Sequence, residues 1–252
     1  MAENDRRSVE VAVVLCAGRG MRLGDLTTTI PKTMLEVDGG WTILDRSLAA
    51  LAKAGAARVS LVVGHGADAL ERRAAEMESR HSVTLTLVHN SHHASRNNAY
   101  SLALGLEGRR EDLFVVNGDT LFEAEALERL ADAPPAPVTL AIDRVKLLGE
   151  EEMKTHFGAD GHLQAISKRL DPATAHGEYI GLARVDGSHV SDLVTALDGV
   201  WTRDPSLFYE DAFGDLAVTG VAISMVDVGD LPWIEVDTPG DLERARMMSW
   251  HS

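Results

Sequence analysis

Glycines and basic residues cluster directly after the first apolar run of the chain, which covers residues 9–16. The cluster consists of Gly18, Arg19, Gly20, Arg22, Gly24 and Lys32. Glycines let a backbone approach phosphate groups closely, and basic side chains neutralise the charge that develops on a leaving pyrophosphate. The segment therefore predicts a loop that wraps around a nucleoside triphosphate.

A dinucleotide-binding loop of an NAD-dependent oxidoreductase is an alternative, because it also carries closely spaced glycines after a strand. Such a loop continues straight into a helix whose N-terminus faces the pyrophosphate. Here the residues after Gly24 include three successive threonines and Pro31, which disfavour a helix. A P-loop would end in Gly-Lys-Ser or Gly-Lys-Thr, and this segment contains neither sequence.

Two aspartates close apolar runs that lie far apart in the sequence. Asp119 ends the run at 113–119, and Asp237 ends the run at 232–237. If both runs are strands of one sheet, the two carboxylates can meet over the same edge. Mg²⁺ prefers one or two carboxylates together with phosphate oxygens and water, so the pair predicts a Mg²⁺ site. A simple turn-forming role is the alternative for each aspartate.

A polar segment after the run at 83–88 supplies histidines, amides and a hydroxyl. We do not interpret His89, His92 and His93 as zinc ligands, because no cysteine or carboxylate completes a set with the usual spacing. Amides and hydroxyls at the start of a helix can hydrogen-bond a pyrimidine or a ribose while they cap that helix. The candidates for this role are Asn97, Asn98 and Ser101. Capping alone is the alternative.

The second half of the chain supplies the candidates for contacts with a charged acceptor. They are Lys154, Lys168, Glu178, Tyr179, Trp201, Tyr209, Glu210 and Asp211. The two lysines could hold a phosphate, the three carboxylates could face an ammonium group, and the aromatic rings could stack on it by cation–π attraction. Ordinary packing in the core or in a lid is the alternative for the aromatic residues.

The elements that position these residues alternate between strand and helix in the first half. Short apolar runs predict buried strands at 9–16, 58–64, 83–88, 113–119 and 137–142. Helical patterns lie between them at 43–54, 67–79, 98–106 and 123–131. The alternation predicts an α/β fold with a Rossmann-like, doubly wound sheet, whose ligands sit at the carboxyl ends of the strands.

After residue 143 this alternation ends. The pattern predicts a hairpin within 153–167 that turns near 158–161, strands at 177–185, 218–226 and 232–237, and helices at 188–197, 205–216 and 239–248. We predict one domain that covers residues 1–252. Its parts are a mainly nucleotide-binding half (9–143), a small acceptor-binding lid (144–231) and a closing strand and helix (232–252) that carry the second aspartate.

Composition limits the classes of partner. The net charge of −15 disfavours nucleic acid, and no apolar run approaches the roughly 20 residues that cross a bilayer. The polar N-terminal segment lacks the apolar stretch of a signal peptide, and the single cysteine excludes an internal disulfide. We therefore expect a cytoplasmic protein that binds small molecules, without nucleic-acid or membrane partners.

The glycine loop also carries a family resemblance. Leu-Cys-Ala-Gly-Arg-Gly-Met-Arg-Leu at 15–23, followed by Pro31-Lys32, resembles the signature of nucleotidyltransferases that activate sugar phosphates and phosphoalcohols. Cys16 replaces the usual alanine, and we interpret it as a core residue. The resemblance implies a mixed sheet of the glycosyltransferase-A-like type and a Mg²⁺ cofactor on Asp119 and Asp237. The nucleotide-binding residues that it implies are Leu15, Ala17, Gly18, Gly20, Arg22, Lys32, Asn97, Asn98, Ser101 and Asp119.

Further strings resemble the phosphocholine cytidylyltransferase branch, which includes enzymes that act on aminoalkylphosphonates. They are Asn97-Asn98-x-x-Ser101-Leu102, Glu152-Met153-Lys154, Ile166-Ser167-Lys168 and Gly177-Glu178-Tyr179-Ile180-Gly181. The resemblance implies transfer of CMP from CTP to an acceptor such as phosphocholine, phosphoethanolamine or 2-aminoethylphosphonate, with release of pyrophosphate. Arg22, Lys32 and Lys168 are then the expected catalytic residues.

Two other functions stay open at this point. A sugar-1-phosphate nucleotidyltransferase that uses UTP, dTTP or GTP would share the first motif and both aspartates. A nucleotide-binding regulator without catalytic activity would share the binding loop, although the intact Arg22, Lys32, Asp119 and Asp237 argue against it. A homodimer built on the second half is a further expectation.

Overall fold

The computed structural model describes residues 8–250. Its helices are α1 (Ile43–Lys53), α2 (Ala67–His81), α3 (Asn98–Leu106), α4 (Ala124–Asp132), α5 (Val190–Arg203), α6 (Tyr209–Val218) and α7 (Pro239–Met247). Its strands are β1 (Val11–Cys16), β2 (Glu36–Asp38), β3 (Trp41–Thr42), β4 (Arg58–Val63), β5 (Thr84–His89), β6 (Leu113–Asn117), β7 (Thr120–Phe122), β8 (Val138–Asp143), β9 (Lys154–Phe157), β10 (Leu163–Ser167), β11 (Gly177–Val185), β12 (Ile223–Asp227) and β13 (Trp233–Glu235). No helix within the described residues has the length and apolar character needed to cross a membrane.

Within residues 8–250, nine strands form one mixed sheet. Strand β1 lies between β4 and β6, and β5 pairs with β4, all in parallel. Strand β11 runs antiparallel to β6, β8 and β9, while β12 is parallel to β8. The predicted α/β fold with a doubly wound mixed sheet is confirmed.

Helices cover both faces of this sheet because side chains alternate along each strand. In β1, Ala12, Val14 and Cys16 belong to the buried cluster that includes leucines of α1, α2 and α4. Val11 and Val13 belong to the opposite cluster, with apolar residues of α3, α5 and α6. Strand β1 is therefore buried on both faces, so a ligand can approach it only at its ends.

No α-helix follows the glycine loop, as predicted. The chain forms two 3-10 turns instead, Met21–Thr27 and Lys32–Met34. The hairpin predicted near 158–161 is also present, since β9 and β10 pair and the Gly161 amide donates to the carbonyl oxygen of Gly158 at 3.0 Å. This hairpin joins the main sheet through β11. The assignment of 144–231 to an acceptor lid stays a prediction.

Several predicted bounds in the second half are wrong; the helix predicted at 188–197, for example, extends to Arg203. The helix predicted at 205–216 begins only at Tyr209, because Asp204 accepts a hydrogen bond from the Ser206 amide at 2.9 Å and holds a turn. The strand predicted at 218–226 begins at Ile223, because α6 extends to Val218 and a turn with Gly220 at φ 90° follows it.

The two strand-end aspartates are brought together by a small ribbon outside the main sheet. Strand β13 pairs with β7 in a separate two-stranded sheet, where Glu235 lies opposite Thr120. The Val236 amide also donates to the carbonyl oxygen of Asp119 at 2.9 Å. The expectation that Asp237 ends a strand of the same sheet is therefore wrong, although the two aspartates do meet.

Gly118 sets the position of Asp119, and we predict that Gly118→Ala destabilises the protein by about 1–3 kcal/mol. The Gly118 amide donates to the carbonyl oxygen of Leu15 at 3.1 Å, and a Cβ there would overlap that oxygen and lie 2.8 Å from Thr33. The free energy of unfolding in urea measures the effect.

Gly199→Ala is the matched control. A Cβ at Gly199, inside α5, would meet nothing within 4 Å. This substitution should leave stability unchanged or raise it by up to about 1 kcal/mol, because alanine has the higher helix propensity. Equal destabilisation by both substitutions would contradict the steric role of Gly118.

Candidate active site at the strand ends

A cavity of about 290 Å³ lies at the carboxyl ends of β1 and β6, beside the first half of β11. The predicted residues that line it are Leu15, Ala17, Gly18, Gly20, Arg22, Lys32, Asn97, Asn98, Ser101, Asp119, Lys168, Glu178, Tyr179, Glu210 and Asp237. The fold thus places the glycine loop, the start of α3, both strand-end aspartates and several acceptor candidates around one space. The structure shows that these residues share one cavity, and the role of each residue in binding stays a prediction.

Three carboxylates meet at one side of this cavity. One oxygen each from Asp119, Glu235 and Asp237 can be chosen so that all lie within 4.8 Å of one another. Three carboxylates form a hard oxygen donor set, which fits Mg²⁺. Sequence reasoning missed Glu235, although it precedes Asp237 by two residues, and in an extended segment that spacing puts two side chains on the same face.

Lys32 and Arg22 provide the positive charge beside these carboxylates. The Lys32 ammonium forms ion pairs with Asp119 and, at 2.9 Å, with Asp237, whose other oxygen lies 2.6 Å from Arg22. Burial acts to lower the pKa of Lys32, but the two carboxylates outweigh it and raise that pKa. Burial likewise acts to raise the pKa of Asp237, while Lys32 and Arg22 outweigh it and hold that pKa below its ordinary value.

The pKa of Glu235 shifts in the opposite direction to that of Asp237. Desolvation in the cleft, followed by the charges of Asp119 and Asp237, raises the pKa of Glu235, even though part of the side chain is open to solvent. The Lys32 charge opposes this shift without cancelling it. A divalent cation among the three carboxylates would remove their mutual repulsion, which is a further reason why the group fits a metal.

The start of α3 lines the cavity with polar side chains that already form hydrogen bonds within the protein. Asn97 caps the helix, since its side-chain oxygen accepts from the Asn98 amide at 2.8 Å. Asn98 in turn accepts from the Tyr209 amide at 2.9 Å, and the Ser101 hydroxyl accepts from Asn90 at 2.9 Å. The predicted capping by Asn97 is confirmed, and contact of this group with a nucleotide stays a prediction.

Tyr209 does not line the cavity, so its predicted acceptor contact is wrong. The side chain is fully buried, its hydroxyl donates to the Asn117 side-chain oxygen at 2.9 Å, and it lies 3.0 Å from the Tyr179 hydroxyl. The two tyrosine rings also pack edge to face with each other and with Phe213. Tyr209 therefore supports the wall of the cavity from behind, and Tyr179 alone of this pair reaches its surface.

Lys154 also points away from the cavity, which overturns its predicted contact with an acceptor phosphate. Its side chain is fully buried, and its ammonium donates to the carbonyl oxygens of Gly149, Glu150 and Glu152 at 2.9, 3.0 and 3.2 Å. These bonds use all three N–H groups of a lysine. Lys154 thus fixes the loop that precedes β9.

Asp211 and Trp201 lie outside this cavity as well. Asp211 accepts a hydrogen bond from the Phe208 amide at 2.9 Å and so caps the start of α6. Trp201 stacks on the Arg96 guanidinium, whose central carbon lies 4.4 Å from the ring centroid. Asp211 also lines a neighbouring cavity of about 250 Å³ that shares Lys168 and Glu210 with the first, so its contact with an acceptor stays a prediction. The position of Trp201 does not fit such a contact.

Glu210 lines the cavity as predicted, and it is only 5% exposed. One of its carboxyl oxygens makes no hydrogen bond to any described residue. Burial is the main reason that the pKa of Glu210 rises to about 8; Asp211 and Asp119 add to the shift, and Lys168 opposes it. This carboxyl group is therefore largely protonated at neutral pH.

Residues 12–178 match the family described as the MobA-like NTP transferase domain. The chain belongs to this family. The match covers more than half of the chain, including the glycine loop and Asp119. The nucleotidyltransferase family predicted from the signature is confirmed.

Curated relatives are similar along most of the chain. CMP-5'-(3-aminopropyl)phosphonate synthase of Streptomyces rubellomurinus is 33% identical over 93% of this chain. The bifunctional IPC transferase and DIPP synthase of Aquifex aeolicus is 27% identical over 94% of this chain. The chain spans 38% of the first protein's length and 51% of the second's.

Solved structures show the same fold over nearly the whole chain. The inositol-1-phosphate CTP transferase from T. maritima matches with a TM-score of 0.80 and 22% identity, over 97% of this chain and 99% of that one. The CTP:phosphocholine cytidylyltransferase from Streptococcus pneumoniae matches with a TM-score of 0.71 and 19% identity, over 95% and 99% of the two chains.

We predict that Glu210→Gln stabilises the protein more at pH 8.5 than at pH 5.5, by at least about 1 kcal/mol. Since the folded-state pKa of Glu210 is raised from 4.5 to about 8, the folded protein holds a proton that the unfolded chain releases. Wild-type stability therefore falls as the pH rises from about 4.5 to 8. Glutamine removes this contribution. Urea unfolding at the two pH values measures it.

Glu107→Gln, at an exposed position, is the control and should leave the pH dependence unchanged. A Glu210→Gln variant that gains no stability at the higher pH would show that the Glu210 carboxyl group ionises without a burial cost.

Proposed function

We propose that this chain transfers the cytidylyl group of CTP to a small phosphonate or phosphate acceptor that carries an amino group, with release of pyrophosphate. The observation that carries the proposal is the convergence of Asp119, Glu235 and Asp237 with Lys32 and Arg22 at one cavity. Carboxylates that fit Mg²⁺ lie there beside cations that fit a triphosphate, and transfer to a phosphate-bearing acceptor requires this combination.

The relatives support CTP as the nucleotide and an aminoalkylphosphonate as the acceptor. The Streptomyces relative is named for a CMP-aminopropylphosphonate product. A 2-aminoethylphosphonate cytidylyltransferase of Lancefieldella rimae is 33% identical over 36% of this chain. Phosphoethanolamine and phosphocholine have the same arrangement of charges, with an anionic group at one end and a cation at the other.

The acceptor oxygen attacks the α-phosphorus in line, and a new phosphorus–oxygen bond forms as the bond to pyrophosphate breaks. A phosphonate oxygen is already anionic at neutral pH, so this step requires no general base. Arg22 and Lys32 hold the pyrophosphate as its charge grows, and Lys168 orients the acceptor. Mg²⁺ on the three carboxylates supplies further positive charge at the phosphates when it is bound.

Charge also supports small-molecule partners. The net charge of −15 opposes the approach of a nucleic-acid backbone, whereas CTP and a short acceptor can use the local cations of the cleft. The cytoplasmic location and the homodimer stay predictions.

A sugar-1-phosphate nucleotidyltransferase is the second candidate function. The mannose-1-phosphate guanylyltransferase catalytic subunit beta of Xenopus tropicalis is 27% identical over 91% of this chain. The same carboxylates and cations would serve that reaction, so the choice between the two functions depends on the nucleotide and the acceptor. The third possibility, a regulator without turnover, would bind nucleotide at the same place.

A screen for pyrophosphate release tests the proposed function. Each of CTP, UTP, GTP and dTTP is combined with 3-aminopropylphosphonate, 2-aminoethylphosphonate, phosphocholine, glycerol 3-phosphate or mannose 1-phosphate. We expect the highest kcat/KM with CTP and an acceptor that carries an amino or quaternary ammonium group, at least about tenfold above glycerol 3-phosphate. Turnover only with mannose 1-phosphate would establish the second candidate instead, and nucleotide binding without any turnover would establish the regulator.

Asp119→Asn should lower kcat at least about 100-fold, because it removes one anionic ligand from the metal-binding group while preserving the size of the side chain. Titration with Mn²⁺ should show weaker binding of the metal, and the circular dichroism spectrum should be unchanged. Asp192→Asn, at an exposed position on α5, is the control. A wild-type rate at saturating substrates would eliminate the metal role of Asp119.

A further inference from the structure

A second cavity of about 530 Å³ opens beside the first. The two cavities share Arg22, Lys168, Glu178 and the carboxylates of Glu235 and Asp237. The second cavity therefore begins at the proposed reaction centre, on the side where Lys168 would hold an acceptor. Lys146, Glu152 and Trp233, which are not among the acceptor contacts predicted from the sequence, also line this cavity.

Lys146 lies in an environment suited to a cation. Its ammonium nitrogen is 2.8 Å from a Glu178 oxygen, 3.4 Å from a Glu152 oxygen and 5.1 Å from the centroid of the Trp233 ring. The ring is held in place because its indole N–H donates to Asp143 at 2.9 Å. Two carboxylates and an aromatic face around one nitrogen form a binding site for an ammonium group.

The two sides of this arrangement are anchored differently. Glu178 belongs to β11, and its side chain is 6% exposed, so the carboxylate is fixed. Lys146 belongs to the irregular segment between β8 and β9, and its side chain is 41% exposed. Its main chain is held near β8, because the Val145 and Lys146 amides donate to Asp143 at 2.8 and 3.0 Å. An exchange would therefore move the Lys146 side chain alone and leave the site in place.

We propose that the Lys146 ammonium group occupies the subsite for the acceptor's own ammonium group, and that a cationic acceptor displaces it. This inference rests on the proposed function and specifies its substrate class: an acceptor with a positive charge a few bonds from its phosphonate or phosphate. The anionic end lies at Lys168 and the cationic end lies between Glu178 and Trp233.

The buried carboxyl group of Glu178 makes the site selective. Burial raises the pKa of Glu178, and the Lys146 charge opposes that shift, so the ionised carboxylate depends on a nearby cation. An acceptor with an ammonium group replaces the cation that it removes. A neutral acceptor of the same size would leave a buried carboxylate without its counter-charge, which is costly.

Glu210 is another buried carboxyl group that could face the acceptor's ammonium group. Its position makes it the control for Glu178. It lines the first cavity but not the second. Burial keeps this carboxyl group largely protonated at neutral pH, as its pKa of about 8 indicates. A neutral carboxyl group without a paired cation attracts an ammonium group far less than a carboxyl group that is paired with one, as Glu178 is with Lys146 at 2.8 Å.

Calorimetric titration of the purified chain without nucleotide, and again with CMP, tests the inference. The probes are 3-aminopropylphosphonate and propylphosphonate, which differ only in the amino group. We expect the wild type to prefer the amine at least about tenfold. Lys146→Met should raise this preference about fivefold, because the tethered competitor is gone. Glu178→Gln and Trp233→Leu should each reduce it at least about fivefold, and Glu210→Gln should change it less than about twofold.

Trp233→Leu leaves every carboxylate in place, so it tests the subsite even if Glu178→Gln does not fold. Weaker binding of 3-aminopropylphosphonate by Lys146→Met would show that Lys146 holds the phosphonate, and would overturn the inference. Loss of the amine preference in Glu210→Gln alone, or no preference in the wild type under either condition, would also overturn it. If the amine preferences of the wild type and the variants are as expected but CTP is not turned over, the proposed function fails and the ammonium subsite stands.

Discussion

The repulsion among three carboxylates in one cleft is the constraint on which this site depends. Asp119, Glu235 and Asp237 lie close enough to share a cation, and the protein offsets their charge with Lys32 and Arg22 from the glycine loop. The loop must therefore fold back across the strand ends, and the 3-10 turn at Lys32–Met34 brings the lysine there. In the proposed function the same cations also bind the triphosphate, so one set of charges would serve both stability and substrate binding.

Backbone geometry brings these charges together. Gly118 lets the turn after β6 pass against β1, and the β7–β13 ribbon delivers Glu235 and Asp237 from the far end of the chain. Strand β11 bends at Gly181, which has φ 81° and lies against the Asn117 side chain, where a Cβ would not fit. The bend directs the first half of β11, with Glu178 and Tyr179, over the open side of the cleft. The site is thus assembled from regions that lie far apart in the sequence, and close backbone contacts hold them together.

Cationic side chains have two distinct uses in this protein. Lys154 and Arg184 are fully buried and donate to main-chain carbonyl oxygens, Lys154 in the loop at 149–152 and Arg184 in the segment at 130–134. Lys154 orders the loop before β9, and Arg184 holds the end of α4 and the residues that follow it, because each side chain carries several N–H groups that carbonyl oxygens can accept. Lys32 and Lys146 instead pair with carboxylates at cavity walls, where a ligand can exchange with them.

The sequence by itself determined the alternating strands and helices, the lack of an α-helix directly after the glycine loop, and the positions of Asp119 and Asp237 just after strand ends, since these depend on local periodicity and on turns next to strand ends. Only the tertiary structure decided that Tyr209 and Lys154 face inward, that Glu235 joins the two aspartates, and that Lys146 meets Trp233. The direction of a side chain depends on the register of strand pairing and on which loop packs beside it. Residue type and spacing do not fix the contacts between distant residues, such as Tyr209 and Asn117, which are 92 positions apart.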